Sequence, residues 1–347
     1  MRIFRCQSII AVIGLGLMLV SCSHDADEFP ANNLPCLTLI TSTGGMGDNG
    51  YNDLIFDGIM EFATKNEVTL SIISPKDKLE AQTAVSDWCD ENTDSKQSLL
   101  VLASSEYESL LDGNFSELKA SKSILLFESE RKDLPGNVFT FNIRRYGASF
   151  LCGRMAAECP QAFVLAACPS DATLQPAIDG FLQGYAKEEG RTADVSYLAD
   201  DAIGFNSPEK AYLLTKELPW NAFVFPLAGG SNSGVYKYVR ENMFSGMLIA
   251  GMDVDCSAYS TRTPFSLTLK IDRMLNTFLN DWLAGNTKEQ HWEGGLAEGF
   301  ADVTVNAAFF DKCLSWEDYY DSQDYWQKAY DTSYQEALEA ERRYYEK

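Results

Sequence analysis

The stretch that decides the fold is residues 43–53, TGGMGDNGYND, a loop with four glycines. It follows the apolar run 36–41, CLTLIT, which is typical of a buried strand. It precedes residues 54–62, in which apolar side chains recur every three to four positions, as they do in a helix. The sequence therefore predicts a strand–loop–helix unit. In α/β folds such a unit presents loop side chains and backbone N–H groups at the sheet edge where ligands bind.

The side chains of this loop indicate the kind of ligand. Asp48, Tyr51 and Asn52 offer a flat face and hydrogen-bonding groups, which suit a ring with polar edges. Residues 45–50 also match the dinucleotide pattern G-x-G-x-x-G, but residues 71–75 end in Ser and Pro where that site needs an acidic residue. No Gly-Lys-Ser/Thr follows the loop, which argues against a P-loop. A plain connecting turn is the remaining alternative.

The N-terminal segment predicts export and lipid anchoring. Residues 1–21 combine an arginine-containing start with an apolar stretch too short for a comfortable membrane span, which is typical of a signal peptide. Residues 19–22, LVSC, match the bacterial lipobox, in which Cys22 becomes the acylated first residue of the mature protein. Residues 22–35 are polar, contain two prolines and favour a flexible tether. We therefore expect a protein held to a membrane by lipid in the bacterial cell envelope, outside the cytoplasm.

Composition argues against several classes of partner and cofactor. The formal net charge is −22, which disfavours nucleic acid and capture by anionic lipid headgroups. Cys6 leaves with the signal peptide and Cys22 takes the lipid, so that seven of the nine cysteines remain. The sequence has no CxxC motif and no Cys/His cluster. We therefore expect free thiols, no metal and no cofactor.

The rest of the chain alternates strands and helices. Apolar runs separated by helical patterns predict βαβ units, and so many strands favour two parallel sheets over a single wide one. The fold class is therefore α/β with two doubly wound lobes and a boundary near residues 142–146. Residues 329–345 favour a terminal helix whose aromatic side chains pack on the second lobe or dock a partner. The predicted strands are residues 68–73, 99–103, 124–127, 138–141, 162–167, 195–198, 222–225 and 247–251.

Four short motifs, in order, carry a resemblance to a known family. Residues 48–52, DNGYN, resemble its Asp-Lys-Ser-Phe-Asn motif, and residues 147–153, GASFLCG, resemble its Gly-Ser-Phe-Leu-x-Gly helix start. Residues 228–236, AGGSNSGVY, resemble Ala-Gly-Gly-Thr-Gly-x-Gly-Val-Phe, and residues 249–255, IAGMDVD, resemble Ile-Gly-Val-Asp-x-Asp. The mature chain is thus similar to the basic membrane lipoprotein (BMP/PnrA-like) family. These are nucleoside-binding lipoproteins of ABC importers with a type I periplasmic-binding-protein fold, in which two lobes are joined by a hinge.

The resemblance implies roles for individual residues. Tyr51 stands where an aromatic ring stacks on the base, with Phe205 as the opposite wall, and Asn52 stands where an amide reads the base edge. Asp253 and Lys270 stand where a carboxylate and an ammonium hold the sugar. Tyr51 packed under the loop, Asp253 as a turn cap and Lys270 as a solvated residue are the alternatives. The implied ligand-binding set is Asp48, Tyr51, Asn52, Ser104, Phe205, Gly229, Gly230, Asp253 and Lys270.

The resemblance also implies a domain division and a function. Lobe 1 would take residues 36–143 and 257–297, and lobe 2 residues 144–256 and 298–347 with a C-terminal helical extension. The protein would bind a nucleoside-like molecule for an ABC permease. An enzyme is disfavoured because residues 230–234, GSNSG, have Asn at the centre where a nucleophile elbow has Ser. An envelope hydrolase and a ligand sensor without a transporter, on the same scaffold, are the alternatives.

Overall fold

The predicted signal peptide, Cys22 with its predicted lipid, and most of the predicted tether lie outside the part of the chain that the structure describes. The described residues belong to one compact unit. Within them, no helix has both the length and the apolar character needed to cross a membrane. The structure is a computed structural model that describes residues 34–91, 97–113, 115, 118–260, 262–306, 309 and 325–346.

The first lobe contains a six-stranded sheet in which all neighbouring strands are parallel. Its strands are Cys36–Ile40 (β1), Thr69–Ile73 (β2), Ser98–Leu102 (β3), Lys122–Phe127 (β4), Val138–Ile143 (β5) and His291–Gly294 (β11). The order across the sheet is β11-β5-β4-β3-β1-β2. A parallel sheet covered on both faces needs apolar side chains along its central strands, and β3, SLLVL, is accordingly buried at every position.

The second lobe repeats this plan with one antiparallel edge. Its strands are Ala162–Ala166 (β6), Ala193–Tyr197 (β7), Phe223–Leu227 (β8), Leu248–Asp253 (β9), Phe265–Leu269 (β10) and Ala301–Val305 (β12). The order is β12-β10-β9-β8-β6-β7, and β12 runs antiparallel to β10. Two mostly parallel sheets with helices between their strands confirm the predicted fold class.

Helices connect the strands and cover the sheets. In lobe 2, the helices that contain Phe150 and Gly184 approach so closely that a Cβ on Gly184 would stand 2.1 Å from the carbonyl oxygen of Phe150. Only glycine permits that contact between backbones. The helices are Tyr51–Asn66 (α1), Lys78–Asp90 (α2), Tyr146–Ala156 (α3), Gln175–Tyr185 (α4), Pro208–Glu217 (α5), Asn232–Glu241 (α6), Ile271–Leu283 (α7) and Tyr325–Tyr345 (α8).

Three segments, here called the hinge segments, connect the lobes: residues 143–146, 269–271 and 294–301. Backbone hydrogen bonds join them to one another. The N–H of Arg144 donates to the carbonyl of Gly294 at 2.9 Å, and the N–H of Lys270 donates to the carbonyl of Phe300 at 2.9 Å. The three segments therefore run side by side, as a hinge between two lobes requires.

The predicted domain division differs from the structure at β10. The division put residues 257–297 in lobe 1, but β10 pairs in parallel with β9 and antiparallel with β12, both of lobe 2. The chain crosses to lobe 1 only at Lys270, because residues 254–264 return it alongside β9. The sequence prediction did not recognise the buried run FSLTL of β10 as a strand and so placed the crossing too early.

The aromatic C-terminal stretch forms α8 where the structure describes it. This helix packs on α3 and β12 of lobe 2. Trp326 lies against Phe265 of β10, with ring centroids 5.5 Å apart, and Tyr344 stacks on Tyr146 of α3 at 4.1 Å. These contacts agree with a terminal helix that packs its aromatic residues on the second lobe. Residues 310–324 lie outside the described part.

Candidate functional site

A cavity of about 150 Å³ lies between the lobes, at the carboxyl ends of both sheets. This is the edge where ligands bind in open α/β sheets. The structure brings most of the predicted ligand residues together at this cavity. Those that line it are Asp48, Tyr51, Asn52 and Ser104 from lobe 1 and Phe205, Gly229, Gly230 and Asp253 from lobe 2.

Asp48 organises the glycine-rich loop. Its carboxylate accepts from the backbone N–H groups of Gly50 and Asn52, each at 2.9 Å, and from the side-chain amide of Asn52, also at 2.9 Å. The first N–H groups of a helix have no intrahelical partner, so Asp48 satisfies donors at the start of α1. The carboxylate of Asp53 accepts from the N–H groups of Gly47 and Asn49 at 2.8 Å. The loop is therefore held by its own side chains.

Asn52, which lines the cavity, has a buried acceptor that no described residue satisfies. Its side chain is 8% exposed, and its Oδ1 atom has no hydrogen-bond partner among the described residues. The amide orientation is set by chemistry, because Nδ2 donates to the Asp48 carboxylate and a carboxylate cannot accept from Oδ1. A buried acceptor without a partner costs free energy. A ligand with an N–H or O–H group would remove that cost.

Tyr51 lies beside a buried ion pair. Arg145 donates to both carboxylate oxygens of Glu128 at 2.8 and 2.7 Å, and the Arg145 guanidinium carbon is 5.9 Å from the centroid of the Tyr51 ring. Burial, and then the negative charge of Glu128, raise the pKa of the Tyr51 hydroxyl well above its usual value. Tyr51 is therefore a neutral aromatic surface at neutral pH. The structure places Tyr51 among the residues that line the cavity.

Asp253 ends β9 in an unusual backbone conformation. Its φ angle is +67°, in the left-handed region that non-glycine residues occupy at a cost of roughly 1–3 kcal/mol, often at functional sites. Its Oδ2 atom would lie 3.1 Å from a Cβ on Gly50, so the carboxylate of lobe 2 meets the loop of lobe 1. Burial raises its pKa to about 7, with Asp48 and Glu128 adding to the rise and Arg145 opposing it.

The wall of the cavity opposite Tyr51 contains two adjacent glycines, Gly229 and Gly230. Gly229 has a φ of +52°, and a Cβ there would stand 3.1 Å from Cδ1 of Phe205. A Cβ on Gly230 would stand 3.2 Å from the Phe205 carbonyl oxygen and 3.8 Å from the Cβ of Asp48. The glycine pair thus lets Phe205 approach the strand end and lets the lobes approach each other. Tyr51 and Phe205 line the cavity from opposite lobes.

Several charged residues of the site were missed by sequence reasoning. Glu106 accepts from the N–H and hydroxyl of Thr43 at 2.8 Å, and Ser105 of lobe 1 donates to Asp171 of lobe 2 at 3.2 Å. Glu128 and Arg145 follow β4 and β5 at the same sheet edge, which is the signal that could have identified them. The carboxylates lining the cavity are Asp48, Glu106, Glu128, Asp171 and Asp253, and the one cation among its lining residues is Arg145.

Lys270 is not among the residues that line the cavity. Its side chain is exposed, and its backbone N–H lies in the hinge, where it donates to Phe300. The structure therefore does not place Lys270 at the cavity with Asp253, contrary to what the family motif implied. Arg145 is instead the cation whose charge acts on the Asp253 carboxylate.

The histidine and the serine considered for catalysis from the sequence are not among the residues that line the cavity. His291 is on β11, and its Nδ1 lies 2.8 Å from the hydroxyl of Thr140, outside the cavity. Ser231, one of the two serines in residues 230–234, is buried and donates to the carbonyl of Gly204 at 2.7 Å. In the described part of the chain, no three His, Cys, Asp or Glu side chains are grouped as metal ligands. The cysteines described there, Cys36, Cys89, Cys152, Cys159, Cys168 and Cys256, are free thiols.

Comparison with known proteins gives a family match and a set of similar folds. The model of the family described as "Bmp: ABC transporter substrate-binding protein PnrA-like" matches residues 38–335. An ABC transporter solute-binding protein from Aeropyrum pernix is similar in structure, with a TM-score of 0.71, 16% identity and coverage of 89% of this chain and 90% of that one.

Two further solved structures illustrate the range of the fold. An ABC transporter solute-binding protein from Conexibacter woesei has a TM-score of 0.59 and 14% identity, covering 88% of this chain and 96% of that one. A LacI family transcriptional regulator from Enterococcus faecalis, solved with bound ribose, has a TM-score of 0.56 and 13% identity, covering 78% and 96%. At these identities the likeness establishes a shared fold.

Proposed function

Because the chain belongs to the Bmp family of PnrA-like ABC transporter substrate-binding proteins, we propose that it captures a nucleoside-like molecule between its lobes for an ABC importer. The family establishes a solute-binding role. The choice of a nucleoside-like ligand, the residues that hold it and the lipid anchor at Cys22 are the proposed parts.

The observation that carries the proposal is the placement of Tyr51, Phe205 and Asn52 around one cavity. Two aromatic side chains from opposite lobes suit a flat ring, because stacking needs only the ring face. A cavity of about 150 Å³ is large enough for a single aromatic ring. The buried Oδ1 of Asn52, which has no partner among the described residues, suits an N–H donor on the edge of a heterocycle.

The charge of the cavity adds a second constraint on the ligand. Carboxylates dominate the lining, and the guanidinium of Arg145 is already paired with Glu128 through two hydrogen bonds. A phosphorylated ligand would meet repulsion that no unpaired cation among the described lining residues offsets. A neutral nucleoside avoids that repulsion, and its sugar hydroxyls are donors that the Asp253 carboxylate would accept.

Closure of the lobes explains how such a ligand would be trapped. Ser105 and Asp171 already form a hydrogen bond across the cleft, and Gly230 lies against Asp48. Hinge motion would open this contact, admit the ligand and close again around it. A permease that recognises the closed form would then receive the ligand.

The direct test is calorimetry of the mature protein with nucleosides, free bases and simple sugars. Binding of a nucleoside more tightly than of its base or sugar alone is expected, because the cleft offers partners to both parts. Preference for a free sugar, or no binding of any nucleoside, would contradict the nucleoside proposal. Turnover of a nucleoside by the pure protein would favour the hydrolase alternative.

The lipid anchor is tested separately. Cys22→Ala removes the proposed acylation site, so the variant should leave the membrane fraction and its mass should lack a lipid. Unchanged fractionation, together with an unlipidated mass for the wild-type protein, would overturn the anchor and leave the ligand proposal intact.

A further inference from the structure

We propose that Glu341 of α8 is a positioning residue for the ligand cleft: it holds the hinge segments in the arrangement that presents Arg145 to the cavity. The proposal rests on the cleft being the ligand site. It gives a role to the C-terminal helix, which lines no part of the cavity.

The carboxylate of Glu341 joins α8 to the third hinge segment and to the first turn of α3, which follows the first hinge segment. It is buried, with 3% of its surface exposed. Its Oε2 atom accepts from the N–H of Gly147 at 3.0 Å, and its oxygens accept from the N–H groups of Leu296 at 3.1 Å and Ala297 at 3.5 Å. Gly147 lies in the first turn of α3, directly after the first hinge segment, and Leu296 and Ala297 lie in the third. One side chain therefore satisfies backbone donors on two crossings between the lobes.

Two glycines, Gly147 and Gly295, leave room for the Glu341 carboxylate. A Cβ on Gly147 would stand 2.4 Å from Oε2 of Glu341, and a Cβ on Gly295 would stand 2.6 Å from Oε1. Any larger residue at either position would push the carboxylate away. The negative charge also lies at the N-terminus of α3, where the helix dipole favours an anion.

Contacts between α8 and lobe 2 hold Glu341 in place beside the hinge segments. Glu336 pairs with Arg154 of α3 and with Lys187, each at 3.2 Å. Two turns later, Tyr344 stacks on Tyr146 of α3 and donates to Asp179 at 3.0 Å. The helix is thus attached on both sides of Glu341.

Two adjacent arginines link the hinge to the cleft. Arg144 faces α8, with its guanidinium carbon 5.4 Å from the centroid of the Tyr345 ring. Arg145 faces the cavity and pairs with Glu128 of lobe 1. Arg145 also begins α3, since its carbonyl accepts from the N–H of Ser149 at 3.0 Å. Movement of the first turn of α3 would therefore move Arg145, and with it the closed arrangement of the lobes.

The test compares Glu341→Gln with Glu336→Gln, a matched control on the same helix that loses ion pairs on lobe 2 but touches no hinge segment. Small-angle scattering of the ligand-free proteins is the first readout, and calorimetry with adenosine is the second. Glu341→Gln should give a larger radius of gyration than the wild type and weaken adenosine binding by about fivefold or more, the lower end of coupling between distant sites. The control should match the wild type in both readouts.

A purely structural role gives a different result. If Glu341→Gln lowers the melting temperature but matches Glu336→Gln in radius of gyration and adenosine affinity, the proposal is overturned. If the wild-type protein binds neither adenosine nor any other nucleoside, the nucleoside proposal fails, and the scattering comparison still decides the role of Glu341.

Gly147→Ala serves as a second variant in case Glu341→Gln does not fold. Alanine stabilises a helix interior by about 1 kcal/mol relative to glycine, so a role confined to α3 stability predicts no opening. The proposal predicts the same enlarged radius of gyration, because the new Cβ displaces the Glu341 carboxylate. A wild-type radius for Gly147→Ala would contradict it.

Discussion

Arg145 donates to both carboxylate oxygens of Glu128, at 2.8 and 2.7 Å. In the sequence, β5 and its flanking loops separate the two residues. The side chains are only 11% and 6% exposed. Breaking a buried ion pair by removing one partner leaves a charge without compensation, which costs far more than losing a surface pair. The pair therefore fixes the hinge beside Tyr51.

Glu128→Gln should lower the free energy of unfolding by about 3–5 kcal/mol, because the Arg145 guanidinium would remain buried without its counter-ion. Urea unfolding followed by circular dichroism measures this. Glu61→Gln is the control, since Glu61 pairs with Lys65 on the surface of α1, where the side chains are 52% and 67% exposed. That pair should contribute about 0.5 kcal/mol or less. Equal losses for both variants would show that the Arg145–Glu128 pair is not the constraint described here.

Asp253 should make nucleoside binding depend on pH. With its pKa raised to about 7 by burial, its carboxylate is protonated below that pH and can then accept fewer hydroxyl donors. Affinity for a nucleoside should therefore rise between pH 6 and pH 8 by up to about tenfold per unit on the acid side. Affinity for the free base, which lacks the sugar, should change little. Asp253→Asn should remove the pH dependence, and an unchanged profile in that variant would exclude Asp253 as its source.

The raised pKa of Asp253 should also make the free energy of unfolding depend on pH. A carboxyl group whose pKa is higher in the folded than in the unfolded protein binds protons on folding, so it stabilises the fold in acid. The contribution of Asp253 should be present below its usual pKa and should be lost as the pH rises towards about 7. Asp253→Asn should flatten this part of the profile, as measured by thermal unfolding of the ligand-free protein.

The family motif and the structure differ in the place that they give to Lys270. The motif implies an ammonium on the sugar, whereas the structure leaves the Lys270 side chain exposed and outside the cavity. Lys270→Ala should therefore change nucleoside affinity by less than about twofold, in the range of ordinary surface substitutions. Asp253→Ala, measured by the same calorimetry, should lose much more nucleoside affinity than Lys270→Ala. A loss for Lys270→Ala comparable to that for Asp253→Ala would restore the role that the motif implied.

Much of this arrangement could be predicted from sequence. Local periodicity on both sides of residues 43–53 predicted a strand and a helix. In the structure β1 precedes this stretch and α1 begins within it, at Tyr51. Local pattern also located the first hinge segment, because β5 ends at Ile143 and α3 begins at Tyr146, within the predicted boundary. These features depend on neighbours in the chain, which sequence shows directly.

The missed features depend on distant parts of the chain. The run Phe265–Leu269 is short and uniformly buried, and only its pairing with β9 and β12 identifies its lobe. Glu341 bonds to the backbone of Gly147, 194 residues away, and of Leu296, 45 residues away. Backbone N–H groups have no signature in a sequence, so nothing near Glu341 indicated its partners. Lys270 was assigned from a motif, although its backbone takes part in the hinge.

The most direct measurement of the central claim is calorimetry of Tyr51→Ala and Tyr51→Phe with a nucleoside that the wild-type protein binds. A stacked base contributes about 1–3 kcal/mol, so Tyr51→Ala should weaken binding by roughly fivefold to 150-fold. Tyr51→Phe keeps the ring and should stay within about threefold of the wild type. If Tyr51→Ala binds the nucleoside as tightly as the wild type does, the ring is not a stacking surface, and the account of this cleft as a nucleoside site is contradicted.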